Sequence, residues 1–214
     1  MDDGHDGFDV RAFDPVRDIE GAYECFVSGF YHNSWPLIDH AEKRLLTDSI
    51  LMAARMSQVS LVAEVDGEAR GVLFGYFPRE GLTLLRSLVE TARFTLRVLL
   101  RRYCMTPFGR AAFWRHHKGE ISFVIRHTDT RAEVLLLSSQ KEYRGGIGRA
   151  LMDEWVTRVR ERGYDSTTVS TDSTVSWGFY ERYGFRRVRE FPLKMFFYSL
   201  PGEDVRGYIY RLDL

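Results

Sequence analysis

The stretch Glu133–Met152, with the sequence EVLLLSSQKEYRGGIGRALM, constrains the fold of this chain more than any other. It predicts a strand, then a glycine-rich turn, then an amphipathic helix over 148–162 that ends at Gly163. The leucines at 135–137 are apolar on both sides of the strand, so we expect neighbours to cover both of its faces. A buried strand that leads through a tight turn into a helix is typical of an α/β domain.

The turn carries three glycines, Gly145, Gly146 and Gly148, which remove Cβ atoms where the chain bends and where an anion would approach the backbone. The first N–H groups of the following helix have no helical acceptor, and the helix dipole adds partial positive charge there. Such a helix start suits a pyrophosphate, and Arg144 and Arg149 add further positive charge. A tight turn whose glycines serve only packing is the alternative.

Composition excludes several classes of protein. Among 214 residues, 30 Lys and Arg balance 30 Asp and Glu, whereas a domain built for nucleic acid usually carries a basic excess. Cys25 and Cys104 are too few for a disulfide framework or a four-ligand zinc site, and the histidines lack a ligand spacing, so we expect no metal. No apolar run is long enough to span a membrane, and the acidic N-terminal residues do not resemble a signal peptide. We therefore expect a cytoplasmic protein.

The remaining pattern alternates short strands and helices. Asp66-Gly67 favours a tight primed turn, and we expect it to join two strands into a hairpin. A second hairpin is expected around Thr128-Asp129-Thr130. The predicted strands are 8–13, 60–65, 69–77, 120–126, 133–139, 166–172, 185–191 and 207–214, and the other predicted helices are 16–30, 40–56 and 174–183.

Residues 81–118 interrupt this alternation with a predicted helical insertion. Apolar residues share one helical face, namely Leu85, Leu88, Val89, Ala92, Leu96, Leu99, Leu100 and Tyr103. Arginines share the other, namely Arg86, Arg93, Arg97 and Arg101. A basic amphipathic helix of this kind suits a membrane surface or an anionic partner. We favour the simpler interpretation, in which the apolar face packs over the core and the arginines are solvated.

Two motifs together carry a family resemblance. The run AEVLLLSS, then EYRG and GIGRALM, resembles the acyl-CoA motif of the GNAT acetyltransferase superfamily, and FYERYGF resembles the signature that closes its cofactor groove. The resemblance is strong over 132–191, compatible over 8–77 and absent over 81–127. It implies one domain over 1–214, of α/β class, with a mixed, mostly antiparallel sheet flanked by helices. The helical insertion then precedes the strand that leads into the CoA loop.

The sequence departs from the family pattern Q/R-x-x-G-x-G/A. When the chain is aligned on Gly146 and Gly148, the Q/R position falls on Tyr143, and Arg144 follows one place later. Ser173 stands where the family often has Asn before the short helix, and Ser176 is the small residue within it. These changes imply rearranged phosphate contacts.

The resemblance also implies roles for individual residues. Tyr180 would lie near the CoA sulfur and stabilise the leaving thiolate, and Glu133 is the candidate general base, with Glu120, His127 and Asp129 as rivals. The remaining residues would bind acetyl-CoA, with the strand backbone holding the pantetheine arm where two strands splay apart. They are Leu137, Ser138, Ser139, Arg144, Gly145, Gly146, Ile147, Gly148, Arg149 and Ser173.

The resemblance implies an N-acetyltransferase that moves the acetyl group of acetyl-CoA directly onto the amine of a small molecule or peptide. Trp35 lies in a segment that borders the acceptor site in the family and is a candidate for the acceptor pocket. A homodimer is possible, since dimers are common among relatives. The alternative function is a non-catalytic acyl-CoA-binding or regulatory module on the same fold.

Overall fold

A computed structural model describes residues 7–30, 43–126, 132–143, 145–193 and 205–214. Strands and helices alternate along these ranges, as the sequence predicts. The strands are β1 (Asp9–Ala12), β2 (Val59–Val65), β3 (Glu68–Tyr76), β4 (Glu133–Ser139), β5 (Ser166–Asp172), β6 (Arg186–Pro192) and β7 (Arg206–Asp213). The helices are α1 (Ile19–Phe30), α2 (Lys43–Met56), α3 (Thr83–Leu99), α4 (Pro107–Arg126), α5 (Ile147–Glu161) and α6 (Gly178–Tyr183).

The seven described strands form one mixed sheet in the order β1-β2-β3-β4-β5-β7-β6. Every neighbouring pair is antiparallel except β4 and β5, which run parallel. The predicted turn between β2 and β3 is confirmed, because Asp66 and Gly67 both have positive φ, 51° and 83°. This left-handed pair matches the right-handed twist of the two strands that it joins.

Helices cover both faces of the sheet. On one face, α5 buries Leu151, Met152 and Trp155 against the strands, and α6 packs on the same side. On the other face, α1 and α2 pack against β2 and β3. The β4 leucines divide between these layers, since Leu137 packs on the α5 side and Leu136 on the α1 side. Both faces of β4 are therefore covered, although the leucines are only half-buried.

The predicted strand over 120–126 and its hairpin with 133–139 are wrong. These residues instead form the last turns of α4, and β4 pairs with β3 and β5. The alternation in ISFVI suggests a strand, but tertiary packing overrides it. In the helix, Phe113 packs against Phe94 of α3, and Phe123 packs edge-on against Phe191 of β6.

The predicted orientation of the insertion's first helix is also wrong. Thr83, Glu90, Phe94 and Val98 are the residues that α3 buries. The leucine face that we expect over the core is exposed, with Leu88 at 68% and Leu99 at 60%. No helix within the described ranges has the length and apolar character to cross a bilayer.

Candidate active site

The turn between β4 and α5 is built on glycine, as the sequence predicts. A short 3-10 turn, Lys141–Tyr143, follows β4 and leads to Gly145 and Gly146. Gly146 has φ 99°, a conformation that side-chain-bearing residues rarely adopt, so it fixes the bend before α5. The hydrogen bond from the Ala150 N–H to the Gly146 carbonyl, at 2.9 Å, starts the helical ladder.

Three N–H groups of α5 precede that bond. Those of Ile147, Gly148 and Arg149 have no hydrogen-bond acceptor in the described part of the chain. Space beside them is open, because a Cβ on Gly145 would have no heavy atom within 4 Å. A Cβ on Gly148 would meet only the Phe179 ring, at 3.6 Å. Unsatisfied donors, the positive end of a helix dipole and open space together fit a diphosphate.

Arg149 extends the positive charge of this helix start. Its guanidinium lies 5.7 Å from the centre of the Tyr183 ring and 3.8 Å from the Asp153 carboxylate. Both partners of this ion pair are well exposed, so the pair is weak and leaves Arg149 available to an anion. The other predicted arginine, Arg144, lies outside the described residues.

The sheet opens immediately beside this turn. β4 and β5 pair only through Glu133 with Thr168 and Val134 with Val169. Beyond these pairs, β4 continues for five residues and β5 for three without pairing to each other, so they form the two arms of a gap. The splay that the resemblance implies for the pantetheine arm is therefore present. The turn at Gly145 and Gly146 lies beyond the open end of the β4 arm.

β4 bulges at the point where the gap begins. Phe74 pairs with Leu136 and Gly75 pairs with Val134, so Leu135 is an extra residue in β4. A bulge leaves the extra residue outside the regular ladder and bends the strand. We attribute the divergence of β4 from β5 to this bend.

Leu137, Ser138 and Ser139 all lie on the β4 arm, as predicted, but their side chains differ in surroundings. The Ser138 hydroxyl donates to the Cys25 carbonyl of α1 at 2.6 Å, so its side chain is directed to the helix layer. Leu137 is half-buried on the α5 side, and Ser139 is half-buried at the end of the strand. The backbone of this arm is the part that remains suited to the pantetheine amides.

Tyr180 lies on the α5 side of the sheet, within α6. Its ring contacts Phe179 and Phe185 edge-on and stacks on Tyr210, with centroid distances of 5.4, 5.6 and 6.0 Å. Its hydroxyl has no hydrogen-bond partner among the described residues, and burial raises the pKa of this phenol. A protonated phenol without a partner is suited to donate to a developing anion.

Glu133 lies at the closed end of the gap and is 8% exposed. The Tyr76 hydroxyl donates to Oε2 at 3.0 Å, and the Ser170 hydroxyl donates to Oε1 at 3.3 Å. Burial and the negative charge of Glu133 both raise the pKa of Tyr76, which therefore stays a donor. These contacts hold the carboxylate in one orientation.

Glu133 and Tyr180 lie on opposite faces of the sheet. A Cβ on Gly75 would meet the Trp155 ring of α5 at 2.4 Å, so the next side chain of β3, Tyr76, is directed to the other face. Glu133 bonds to Tyr76 there, whereas Tyr180 belongs to the cluster beneath α5. The two groups therefore reach the sheet from opposite sides.

The structure does not bring all of the other predicted site residues to the gap between β4 and β5. The Ser173 hydroxyl accepts a hydrogen bond from the Arg206 N–H at 3.0 Å, where it extends the pairing of β5 with β7. Glu120 lies in α4, and His127, Asp129 and Trp35 lie outside the described residues. No cluster of potential metal ligands occurs within the described ranges.

The described cysteines show no sign of a nucleophilic role. Cys25 is fully buried in α1, and burial raises the pKa of its thiol to about 12. Cys104 is exposed beyond α3.

Three polar residues near the gap are missing from the sequence prediction. Tyr76 and Ser170 hold Glu133 from positions 57 and 37 residues away, and no local pattern indicates such partners. Asp172 is 8% exposed at the end of the β5 arm. Its Oδ1 accepts from the Thr174 N–H at 2.7 Å, and burial raises the pKa of its carboxyl despite this bond. The β-like run STTVSTD locates Asp172 but does not show its burial.

A comparison with protein families identifies the domain. Residues 109–187 match the model of an acetyltransferase (GNAT) domain. This part of the chain is therefore similar to a GNAT acetyltransferase domain. The match spans the end of the insertion, the glycine turn, the gap and the FYERYGF run, which is less than half of the chain. A search of curated proteins found no significant match.

Solved structures of similar fold align with nearly the whole chain. Ard1 from Thermoplasma volcanium has 19% identity and a TM-score of 0.56, and the alignment covers 97% of this chain and 98% of that one. A polyamine N-acetyltransferase from Drosophila melanogaster, which forms N-acetylagmatine, has 16% identity and a TM-score of 0.56 at 97% and 100% coverage. An N-acetyltransferase from Staphylococcus aureus Mu50 has 10% identity and a TM-score of 0.58 at 96% and 98% coverage. At these identities the likeness concerns the fold alone.

Proposed function

We propose that this protein is an N-acetyltransferase that takes the acetyl group from acetyl-CoA and transfers it to an amine in a ternary complex. One observation carries the proposal: the gap between β4 and β5 opens toward the start of α5, whose first three N–H groups have no acceptor among the described residues. The diphosphate would bind these N–H groups with Arg149 nearby. The backbone from Leu137 to Ser139 would pair with the pantetheine arm like an added strand. The thioester would supply an activated acetyl group, and the protein would supply a general base, a hydrogen-bond donor to the leaving thiolate and a donor to the oxyanion.

Glu133 is the proposed general base. An alkylamine has a pKa of about 10.4, so only about one molecule in 2,500 is neutral at pH 7. A carboxylate that accepts the amine proton, directly or through one water, helps to raise the reactive fraction. Tyr76 and Ser170 orient this carboxylate through their hydrogen bonds and leave it on the face away from α5. The acceptor amine would therefore approach from that face.

Tyr180 is the proposed partner of the leaving thiolate. A phenol has a pKa of about 10 and a thiol about 8.5, so complete transfer of the phenol proton to the thiolate is unfavourable by roughly 2 kcal/mol. Burial raises the pKa of Tyr180 further, which strengthens this argument. We therefore assign Tyr180 a hydrogen bond to the thiolate, and the proton lost by the amine completes the balance.

The β4 bulge is the proposed source of a donor to the oxyanion. When the amine attacks, negative charge develops on the thioester oxygen and must be stabilised by a positioned N–H group. Leu135 is the first residue of the β4 arm and stands outside the regular ladder at the closed end of the gap. Its backbone N–H is our candidate.

The proposed acceptor is an amine of a small molecule or of a peptide. Any such amine that reaches Glu133, at the closed end of the gap, fits the proposed chemistry. The non-catalytic alternative requires acetyl-CoA to bind without turnover. The buried carboxylate of Glu133 and the buried phenol of Tyr180, on opposite faces of the sheet, favour catalysis, because binding alone needs neither.

Release of free CoA thiol from acetyl-CoA across a panel of amines tests the proposal. We expect turnover with at least one amine, and Tyr180→Phe should lower kcat about 10- to 150-fold by removing one hydrogen bond to a charged group. Tyr183→Phe is the matched control, since the Tyr183 hydroxyl donates to Asp153 at 2.5 Å on an exposed surface. Acetyl-CoA binding measured by calorimetry, combined with no thiol release from any amine, would favour the non-catalytic module instead.

A further inference from the structure

The outward face of α3 is apolar, which is the reverse of an ordinary surface helix. Successive residues of a helix are 100° apart, and on this wheel the buried Thr83, Glu90, Phe94 and Val98 share one side. The opposite side carries exposed aliphatic side chains, between 43% and 75% exposed. They are Leu82, Leu84, Leu85, Leu88, Val89, Leu96, Leu99 and Leu100.

These eight side chains form what we call the leucine ridge, which runs along the full length of α3. A helix is a convex surface, so the ridge projects from the protein, and only Leu96 and Leu100 also border the groove beside it. A contiguous apolar surface of this kind marks an interaction site, whereas single exposed leucines are common on protein surfaces. The ridge contains no aromatic side chain and no charge, whereas the centres of protein–protein interfaces are enriched in aromatic residues and Arg.

Arginines line one edge of the leucine ridge. Arg86, Arg93 and Arg97 fall together on the wheel between the ridge and the buried side, and Arg101 and Arg102 continue the series beyond the helix. Glu90 is the one acidic residue of α3, and it faces inward. Ion pairs occupy Arg93 and Arg97, with Glu90 and Asp48.

A cationic groove of about 710 Å³ opens along the same edge, between α2 and α3. Five arginines line it, namely Arg44, Arg55, Arg93, Arg97 and Arg102, against two acidic residues, Asp48 and Glu90. Both acidic residues already pair with arginines, and Asp48 also accepts from Tyr103 at 2.6 Å. Arg44, Arg86 and Arg102 have no ion pair within the described ranges, so the edge retains positive charge.

We propose that α3 docks this protein on the surface of a bilayer that contains anionic lipids. The leucine ridge would lie at the boundary of headgroups and acyl chains, with the helix parallel to the membrane plane. The arginine edge would then stand at the level of the lipid phosphates. An apolar face bordered by basic residues is the arrangement by which interfacial helices bind anionic membranes.

Charge favours the membrane over a second copy of the chain. A two-fold axis that pairs two α3 helices in antiparallel fashion through their ridges brings their arginine edges to the same side. The acidic residue of α3, Glu90, already pairs with Arg55 and Arg93 of its own chain, so it does not neutralise the arginines of a second copy. Anionic headgroups provide that neutralisation. Docking does not depend on acetyl transfer, so the two proposals can fail separately.

Sedimentation of the full chain with vesicles tests the proposal. We expect binding to vesicles of phosphatidylcholine mixed with phosphatidylglycerol, weaker binding to pure phosphatidylcholine, and loss of binding as salt is raised. The triple variant Leu85→Ser/Leu88→Ser/Leu96→Ser should reduce the bound fraction at least tenfold, because it interrupts the ridge at exposed positions. Val16→Ser, at an aliphatic residue that is 89% exposed elsewhere, is the matched control and should bind as the wild type does.

A second pair of variants separates charge from apolar contact. Arg86→Gln/Arg102→Gln should weaken binding to the anionic vesicles about tenfold or more, and should reduce the salt dependence. Arg160→Gln/Arg186→Gln removes the same charge from exposed positions on α5 and β6 and should have little effect. Circular dichroism and thermal unfolding check that every variant is folded.

Three outcomes would overturn the proposal. Wild-type protein that stays in the supernatant with the anionic vesicles at low salt excludes membrane docking. Light scattering that shows a dimer, abolished by the ridge variant and unaffected by vesicles, assigns the ridge to a second copy of this chain. Equal binding by the ridge variant and the wild type would also refute the role of α3.

Discussion

Replacement of Gly148 by alanine should change stability and cofactor affinity in opposite directions. Gly148 follows the first residue of α5, and an added Cβ meets only the Phe179 ring, at 3.6 Å, which is an ordinary contact. Alanine is better than glycine in a helix by about 0.5–1 kcal/mol, and the first turn should show the lower end of that range. We therefore expect a small increase in the free energy of unfolding, measured by urea denaturation.

The same methyl group should weaken acetyl-CoA binding. It would add bulk next to the N–H groups of Ile147, Gly148 and Arg149, where we place the diphosphate. Loss of one hydrogen bond to a charged oxygen costs about 1.5–3 kcal/mol, which corresponds to a roughly 10- to 150-fold increase in Kd. Isothermal titration calorimetry with acetyl-CoA measures this change directly.

Gly178→Ala is the matched control for this prediction. Gly178 begins α6, and its added Cβ would meet only the flexible end of Arg182, at 3.1 Å. This variant should keep the wild-type affinity for acetyl-CoA. If Gly148→Ala is folded and binds acetyl-CoA as tightly as the wild type does, the start of α5 is not the diphosphate site.

Three further variants test the proposed base Glu133 and two other buried carboxylates, Asp18 and Asp172. Glu133→Gln preserves an acceptor for Tyr76 but removes the base, so kcat with an amine should fall about 10²- to 10⁴-fold while acetyl-CoA affinity is unchanged; an unchanged kcat would assign the base elsewhere. Asp18→Asn should lower the free energy of unfolding by about 2–3 kcal/mol near pH 7, because Asp18 is 2% exposed and accepts two hydrogen bonds from Arg11, each at 2.7 Å. Burial raises the pKa of Asp18, but the hydrogen bond from Arg11 and its positive charge lower the pKa more, so it lies below 3.8 in the folded protein. The stability advantage of the wild type over the variant should therefore be lost as the pH falls through this lowered pKa. An advantage that persists at such low pH would contradict the proposed role of the Arg11 ion pair. Asp172→Asn should have the opposite pH dependence, since burial raises the pKa of Asp172 above 3.8: the wild type is favoured at low pH, and the variant should gain relative stability as the pH rises through the raised pKa. The free energy of unfolding of both proteins should be measured across pH 3 to 7, at about one-unit steps. A constant difference between wild type and variant over this range would show that burial does not raise the pKa of Asp172.

Local patterns predict the glycine turn and most of the strands correctly. The bounds predicted for β5, 166–172, agree with the structure, and Gly163 ends α5 with φ 74° as expected. The apolar strand, the glycines of the turn and the amphipathic helix follow one another within about 20 residues of the sequence. Such signals depend on backbone conformation and periodicity, which the sequence carries directly.

The insertion is where local patterns mislead. The stripe of leucines on α3 predicts a buried face, because burial is the usual reason for such a stripe. In the structure Phe94 and Val98 contact the core from the other side, and α4 supplies Phe113 to receive Phe94. Which face is buried depends on these distant partners. The helix formed by 120–126 depends in the same way on contacts between Phe123 and β6.

The single extra residue in β4 decides what Glu133 can do. Side chains alternate along a strand, so a regular β4 would place Glu133 on the same face as Leu137, beneath α5. The bulge at Leu135 reverses the alternation, and Glu133 instead meets Tyr76 on the opposite face. The proposed base Glu133 and Tyr180 thereby lie on opposite faces of the sheet, so the proposed proton acceptor and hydrogen-bond donor would approach the thioester from different sides. A regular strand would instead place the carboxylate and Tyr180 on the same side of the sheet.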